Sequence, residues 1–369
     1  MKNDRSGKRL ARVARRAAAR RVKPRSKTAA AKPKGSATQT RRRPALRTLQ
    51  TKHSEAKPAA LRGLAADVPS GPHRMGFVSI AGRPNAGKST LLNALVGEKV
   101  AIVAHQAQTT RTTIQGIVNV GGAQIVLVDT PGIHKSDTLF NRSMMNTVRG
   151  ALEEMDVALF VADATKPPSQ EDGHAVSAVP ETVPVLLVLN KIDRLEDKRL
   201  LLPLIEAYMK LRQFDEVFPV SGLKGTGLDE LMSGIIQRIP EGEALYPEDQ
   251  YTDLPKRFLT AELIREAILR ETTKEVPHSV GVVIDDWEEE RSLTKIGASI
   301  IVERPGHKAI LIGAGGSRLK KIGAGARREI EEMLGEKVFL SLFVRVQPKW
   351  REDLQFLSKL DWRSMLGSE

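Results

Sequence analysis

Residues 82–90 read Gly82-Arg83-Pro84-Asn85-Ala86-Gly87-Lys88-Ser89-Thr90. This is the G-x-x-x-x-G-K-[ST] spacing of a phosphate-binding loop. An apolar strand-like run, Phe77-Val78-Ser79-Ile80-Ala81, precedes it, and a helix-like run, Leu91 to Val96, follows. Glycines let the backbone curl until successive N–H groups point at one anion, and the start of the following helix adds its positive dipole end. In that setting Lys88 would reach the outer phosphates and the Ser89 hydroxyl would bind Mg²⁺. A glycine turn can match the pattern by chance, so the fold reading rests on what lies downstream.

Two further motifs end apolar strands. Asp129-Thr130-Pro131-Gly132 follows Ile125-Val126-Leu127-Val128. A carboxylate there can hold the shell of a Mg²⁺ ion, and the glycine N–H can meet a terminal phosphate. Asn190-Lys191-Ile192-Asp193 follows Val185-Leu186-Leu187-Val188-Leu189. The Asp193 carboxylate can accept two N–H donors from the N1/N2 edge of guanine, a pair that adenine lacks. Three motifs in this order, each at a strand end, point to a guanine-nucleotide site.

The chain has 369 residues, which suggests two or three domains, and no cysteine. Disulfides, thiolate catalysis and cysteine-bound zinc are therefore excluded, and a reducing compartment fits. No apolar run approaches the ~18 residues of a membrane span, and no secretory signal is apparent. The net charge of +14 divides unevenly. Residues 1–74 hold 22 Lys/Arg and 3 Asp/Glu, a net of +19, whereas the rest of the chain carries a net of −5. The basic segment has no aromatic residue and cannot bury enough surface to offset its ordering entropy. It reads as a disordered extension with a transient helix over residues 9–21. A solvated tail, a nucleic-acid-binding arm and an organelle transit peptide are its three readings.

From residue 75 to 240, strand candidates (76–81, 114–120, 123–129, 157–163, 184–189, 217–220) alternate with helix candidates (88–96, 140–154, about 168–179, 196–211, 227–239). Such alternation gives an α/β sheet covered by helices, with ligands at the carboxyl ends of the strands. Residues 241–255, rich in Pro, acids and Tyr, read as a linker. A second, α+β domain over 256–369 then follows the order αββααβ. Its elements are an amphipathic helix (257–274), strands (279–286 and 294–303), a short helical piece (308–312), a helix (317–334) and a final strand (337–346).

Between the last two helical pieces lies Gly313-Ala314-Gly315-Gly316. A G-x-x-G turn in this position is the backbone clamp of a KH domain. Ile312 through Gly316, with Arg318, Lys320 and Lys321, form the candidate RNA contact, and Ile310, Ile312 and Ile322 its apolar floor. Nine basic residues between Arg291 and Arg328 face one acid, Glu303. No aromatic stacking platform is expected beside the clamp.

These residues together resemble the bacterial Era GTPase family. GRPNAGKSTLLNALVG, QTTRTTIQGI (108–117), DTPGIHK (129–135), NKID, LYP (245–247), TD (252–253) and LIGAGGSRLKKIG carry the likeness. The resemblance implies a Ras-like P-loop GTPase domain with a mostly parallel six-stranded sheet, then a type II KH domain. It implies GTP binding and hydrolysis, binding to the 3′ end of 16S ribosomal RNA, a role in assembly of the small (30S) ribosomal subunit, and some peripheral membrane association. The protein would then be cytoplasmic, with contact at the inner face of the cell membrane or an organellar homologue as further readings; DNA is not an expected partner. A membrane-surface or signalling GTPase whose basic segments meet anionic lipid is the alternative.

On this reading GTP is held by residues 82–90, Asp129, Thr130, Pro131, Gly132, Ile133, Asn190, Lys191, Ile192, Asp193, Ser221 and Gly222. Lys88, Thr110, Asp129 and Gly132 carry the catalysis. Mg²⁺ falls to Ser89, Thr110 (Thr109 second) and Asp129. Asn85 is a candidate for holding K⁺ near the phosphates, as in related potassium-dependent GTPases. Ile133 stands where Ras carries a water-orienting glutamine, so hydrolysis without a partner is expected to be slow. Two departures stand out. Ser221-Gly222-Leu223 replaces the usual Ser-Ala-Leu, and the basic extension lies outside the family pattern.

Overall fold

A computed structural model of the chain describes residues 72–104, 114–129, 155–273, 276–277 and 279–360. The basic extension up to residue 71, the helix expected over 140–154 and the switch threonines lie outside them.

The first domain is built on strands of continuous apolar sequence. β1 (Arg74–Ala81), β3 (Ala123–Asp129), β4 (Val157–Asp163) and β5 (Val185–Asn190) are buried along nearly their whole length. Strands covered on both faces by helices require such runs. With β2 (Ile114–Val120) and β6 (Glu216–Pro219) they form a six-stranded sheet, ordered β2-β3-β1-β4-β5-β6. Only β2 runs antiparallel, against β3. α1 (Lys88–Val96) and α4 (Leu228–Arg238) cover one face, where Leu91, Leu92, Leu95, Leu231 and Ile235 are fully buried. α2 (Gln170–Ser177) and α3 (Leu201–Met209) cover the other, around Phe160, Tyr208 and Phe214.

Two helices are shorter than the sequence pattern suggests, for local reasons. α2 starts at Ser169, whose hydroxyl accepts from the Asp172 N–H while the Asp172 carboxylate accepts from the Ser169 N–H. This reciprocal pair fixes the first turn. The 196–211 region breaks into a 3₁₀ turn at Lys198–Leu200, opened by the Asp197 carboxylate, and then α3, with Pro203 in its first turn. Proline lacks an N–H and is tolerated there but not in the helix interior.

The segment between the domains is pinned to the sheet edge. The buried Gln124 accepts from the N–H groups of Leu245 (2.7 Å) and Tyr246 (2.9 Å), and donates to the Tyr246 carbonyl (2.8 Å). Thr252 donates to the Gln115 carbonyl, and the Ile117 N–H donates to the Tyr251 carbonyl.

The second domain has a three-stranded sheet, β7 (Val280–Glu289), β8 (Leu293–Val302) and β9 (Lys337–Val346), with β7/β8 antiparallel and β8/β9 parallel. α5 (Lys256–Glu271), α6 (Pro305–Ile312) and α7 (Ser317–Leu334) pack on one face. In α7 the buried residues Ile322, Ala326, Ile330 and Leu334 recur every fourth position, the stripe of a surface helix. α5 is not amphipathic as the sequence pattern suggested. It is buried almost all round, Arg265 and Glu266 included, because Leu259 joins the core of the first domain and Ile264 that of the second. Among the described residues, the other face of the small sheet is covered at one end, by Trp350 and α8 (Leu354–Leu360).

Candidate functional site

The phosphate-binding loop runs from the end of β1 into α1. Gly87 has φ 97°, and a Cβ there would lie 2.3 Å from Asn190 Nδ2, so the loop closes onto β5 only through a glycine. Lys88 is almost fully buried, and its Nζ donates to the carbonyls of Gly82 and Arg83, both at 3.1 Å. Burial lowers its pKa, and the nearby Asp129 carboxylate opposes that shift. The ammonium is thus held in the loop's concavity by two carbonyls before any phosphate arrives.

Ser89 and Asp129 are brought together from α1 and the end of β3. The Ser89 hydroxyl donates to Asp129 Oδ2 at 2.7 Å. A hydroxyl and a carboxylate side by side are hard oxygen donors of the kind Mg²⁺ takes alongside water and phosphate oxygens. Thr109, Thr110, Thr130, Pro131, Gly132 and Ile133 lie outside the described residues.

Asn190 does something the motif alone did not reveal. It is 2 % exposed, and its amide is engaged with three loops. Nδ2 donates to the Ala86 carbonyl (3.1 Å) and more weakly to that of Gly87 (3.4 Å). Oδ1 accepts from the N–H of Lys191 (2.8 Å) and of Gly222 (3.0 Å). The side chain therefore staples the phosphate loop, its own loop and the Ser221-Gly222 loop into one wall. Lys191 adds a second tie. Its Nζ donates to the Asn85 carbonyl (2.5 Å) and pairs with Asp163 (2.7 Å) at the end of β4. Burial would raise the Asp163 pKa, but hydrogen bonds from Lys191 and Thr165 outweigh it and hold the carboxylate below its ordinary range. Asp163 was missed by the motif reading. Its signal was its position, an acid closing the apolar strand between the two motif strands and in register with Asn190.

Asp193 is exposed, and one oxygen accepts from the Ser221 hydroxyl at 2.6 Å. The same hydroxyl accepts from the Lys224 N–H at 3.0 Å. With one oxygen held, the carboxylate is oriented to receive donors from outside. Asn85 sits at φ 63° with an exposed side chain, a left-handed conformation that asparagine tolerates better than most residues.

In the second domain, α6 ends at Gly313 and α7 starts after Gly316. Gly315 and Gly316 have φ 57° and 79°, and a Cβ on either would meet nothing within 4 Å. The side of the turn they leave bare is open. Arg318 donates to the Ile310 carbonyl at 2.6 Å, tying the two helices, while Lys320 and Lys321 are exposed. Ile310 is exposed and Ile312 half-buried, but Ile322 is 0 % exposed in the domain core. The floor expected from three isoleucines is therefore reduced to two, because Ile322 falls on the inward stripe of α7.

Residues 77–191 match a family model described as a 50S ribosome-binding GTPase, and residues 275–351 match a KH domain. The GTPase Era of Geobacter metallireducens is 45 % identical over 294 residues, spanning 79 % of this chain and 98 % of that protein.

The chain belongs to the Era GTPase family.

The crystal structure of a point variant of Aquifex aeolicus Era bound to GDP·AlF4⁻ is 41 % identical and superposes with a TM-score of 0.76, covering 78 % of this chain and 99 % of that one. Era in complex with MgGDPNP and nucleotides 1506–1542 of 16S ribosomal RNA matches with the same identity and TM-score over 79 % of this chain and 99 % of that one. In this Era-family chain a P-loop GTPase domain is followed by a KH domain.

The Asp193 geometry gives a test. Asp193→Asn should weaken GTP binding and favour xanthosine triphosphate, whose C2 carbonyl accepts from the new amide. The change should be about a hundredfold or more in relative affinity, since a two-bond charge-assisted contact is lost. Calorimetric titration with both nucleotides checks it. Tight ATP binding by the unaltered protein would contradict the assignment.

Proposed function

We propose that this Era-family protein binds and hydrolyses GTP, grips single-stranded RNA at the 3′ end of 16S ribosomal RNA with its KH turn, and acts in assembly of the 30S subunit. The observation that carries the reading is the pairing, in one chain, of the loop wall stapled by Asn190 with the open glycine turn at 313–316. A relative solved with MgGDPNP and nucleotides of 16S ribosomal RNA supports both halves.

Phosphoryl transfer depends mainly on positioning and charge stabilisation. Lys88 lies ready for the β- and γ-phosphates, and the loop N–H groups for the remaining charge. Ser89 and Asp129 would hold Mg²⁺, with Thr110 as third protein group; bound there, the ion neutralises charge between the phosphates. Gly132 would donate to the γ-phosphate. Asp193 reads guanine, with Ser221 fixing its carboxylate and Gly222 closing the loop. With Ile133 in place of a glutamine, turnover is slow until a partner acts. Arg318, Lys320 and Lys321 meet RNA phosphates while the bare backbone of residues 313–316 approaches the sugar chain.

The protein acts where ribosomes are assembled, in the cytoplasm. Among the described residues no helix is long and apolar enough to cross a membrane. Peripheral contact with the inner membrane face is a secondary property of the basic segments. A lipid headgroup needs positive charge but no glycine clamp, so RNA is the preferred ligand of the KH turn.

Residues 72–74, read with the basic extension, belong instead to the folded domain: Arg74 opens β1 and donates to the Ile239 carbonyl, and the Gly242 N–H donates to the His73 carbonyl. Deleting residues 1–71 should lower general RNA affinity and flatten its salt dependence, because that segment meets only phosphates. Preference for the 16S 3′-end sequence should survive. Replacing Gly315 and Gly316 with Asp should do the reverse, and GTP binding should survive both changes. Anisotropy titrations at several salt concentrations check this. Loss of sequence preference on tail deletion alone would overturn the assignment.

K⁺ near the phosphates, held with the help of Asn85, is the second cofactor proposed. GTP turnover should then be about tenfold or more faster in K⁺ than in Na⁺, the effect of one well-placed charge on the transition state. Equal rates in the two salts would remove the ion from the mechanism.

A further inference from the structure

The first turn of α2 holds more charge than a helix start needs. Its capping pair asks Asp172 only to accept from the Ser169 N–H, and a neutral amide at that position can do the same. Asp172 is nonetheless a carboxylate, with 0 % of its surface exposed. Oδ2 meets three groups: the Ser169 N–H at 2.9 Å, the Ser169 hydroxyl at 2.8 Å and the Arg83 guanidinium at 3.5 Å. Oδ1 is sealed from solvent without a hydrogen bond of ordinary geometry, and so is the Tyr208 hydroxyl. The two residues still interact. Burial first, then the charge of Asp172, raises the Tyr208 pKa, and Arg83 opposes the rise. A buried carboxylate with an oxygen left over is costly, so the charge itself has a use.

Arg83 supplies that use. The G-x-x-x-x-G-K-[ST] spacing leaves its position unspecified. Its side chain runs from the phosphate loop to α2 and is 15 % exposed at the pair with Asp172. Its carbonyl accepts from Lys88 Nζ at 3.1 Å. One residue thus joins the buried acid on α2 to the ammonium that is to meet the phosphates. The far arm of the loop is held by Asn190 and Lys191, through the carbonyls of Asn85, Ala86 and Gly87. On the near arm Gly82 is pressed against β4, where a Cβ would lie 2.3 Å from the Val161 carbonyl oxygen. Among the described residues, Asp172 is the acid that pairs with Arg83.

We propose that Asp172 is a positioning residue for the GTPase reaction. Through Arg83 it sets the near arm of the phosphate loop, and so it places the Lys88 ammonium. With the charge of Asp172 removed, the guanidinium has no buried counter-ion and turns toward water, carrying the Arg83 carbonyl with it. Lys88 then loses one of the two carbonyls that hold it. Small displacements of a positioned group, caused far from the chemistry, lower affinity and rate steeply. This rests on the assignment of Lys88 to the phosphates.

The test is steady-state GTP turnover by the full-length protein, beside its melting temperature, for Asp172→Asn, Arg83→Gln and the two together. Asp172→Asn keeps an acceptor for the Ser169 cap and removes the charge. KM for GTP should rise about tenfold. The kcat should change less than about twofold, because the ammonium meets the phosphates in the ground state and the transition state alike. Arg83→Gln should raise KM equally, and the double variant should be no worse than either, since both changes break one link. A fall in melting temperature with KM unchanged would overturn the proposal and leave Asp172 a capping and packing residue. Additive losses in the double variant would also overturn it, because the two residues would then act separately. Should Asp172→Asn fail to fold, Arg83→Gln decides alone, and an unchanged KM there overturns the proposal. A KM unaltered by Lys88→Ala would instead remove the assignment of Lys88 itself.

Discussion

One carboxamide holds the proposed nucleotide site together. Asn190 stands at the end of a fully buried strand, and its hydrogen bonds reach Ala86, Lys191 and Gly222 in three different loops. Each loop by itself is a turn with several accessible shapes. Joined through one buried side chain they become a single preorganised wall, with Lys88 drawn inward on one side and Asp193 presented on the other. The demand runs back to the sequence of the phosphate loop. Gly87 has no side chain because the amide of Asn190 occupies the space a Cβ would need. Lys191 repeats the device one residue on, joining the Asn85 carbonyl to Asp163.

A second set of polar contacts joins the segment after α1 to the KH domain. The segment that leaves α1 carries Lys99, which pairs with Glu266 on α5 and Glu329 on α7, and Glu329 also pairs with Arg270. The Val103 N–H donates to Glu266 at 3.2 Å. Burial raises the pKa of Glu329, yet the two cations outweigh it and hold the carboxylate below its ordinary range. These contacts stand just before the region that carries Thr109 and Thr110. They also explain why α5 has no solvent face, since it serves as the common wall of two cores.

Much of the fold was legible in the sequence because short apolar runs bounded by motif and turn residues fit strands buried on both faces. The strands 114–120, 123–129 and 157–163, and α7 with β9, lie where their patterns place them. What periodicity could not show is which partner a face meets. α5 reads as one-sided because charged residues interrupt its apolar ones, but Arg265 and Glu266 are buried with ion-pair partners, Glu262 on the same helix and Lys99 from the other domain. Ile322 reads as accessible from its distance to the glycine turn, yet helix geometry turns it into the core. Phe339 and Phe343 carry no motif and no role in the sequence reading; among the described residues they stand exposed on the sheet face away from the helices. The roles of Asn190 and Asp163 depend on loops far apart in the chain, so no local spacing could carry them.

The most direct measurement is calorimetric titration of Asn190→Ala with GTP and GDP, beside thermal unfolding of the same protein. Loss of the amide strands N–H and carbonyl groups in three loops, at about 1–3 kcal/mol for each buried group left unsatisfied. Affinity should fall about a hundredfold or more for both nucleotides, and the melting temperature of the nucleotide-free protein should drop as well. A variant that kept its nucleotide affinity, or lost it with no change in melting temperature, would contradict the role of Asn190 as the staple of the site.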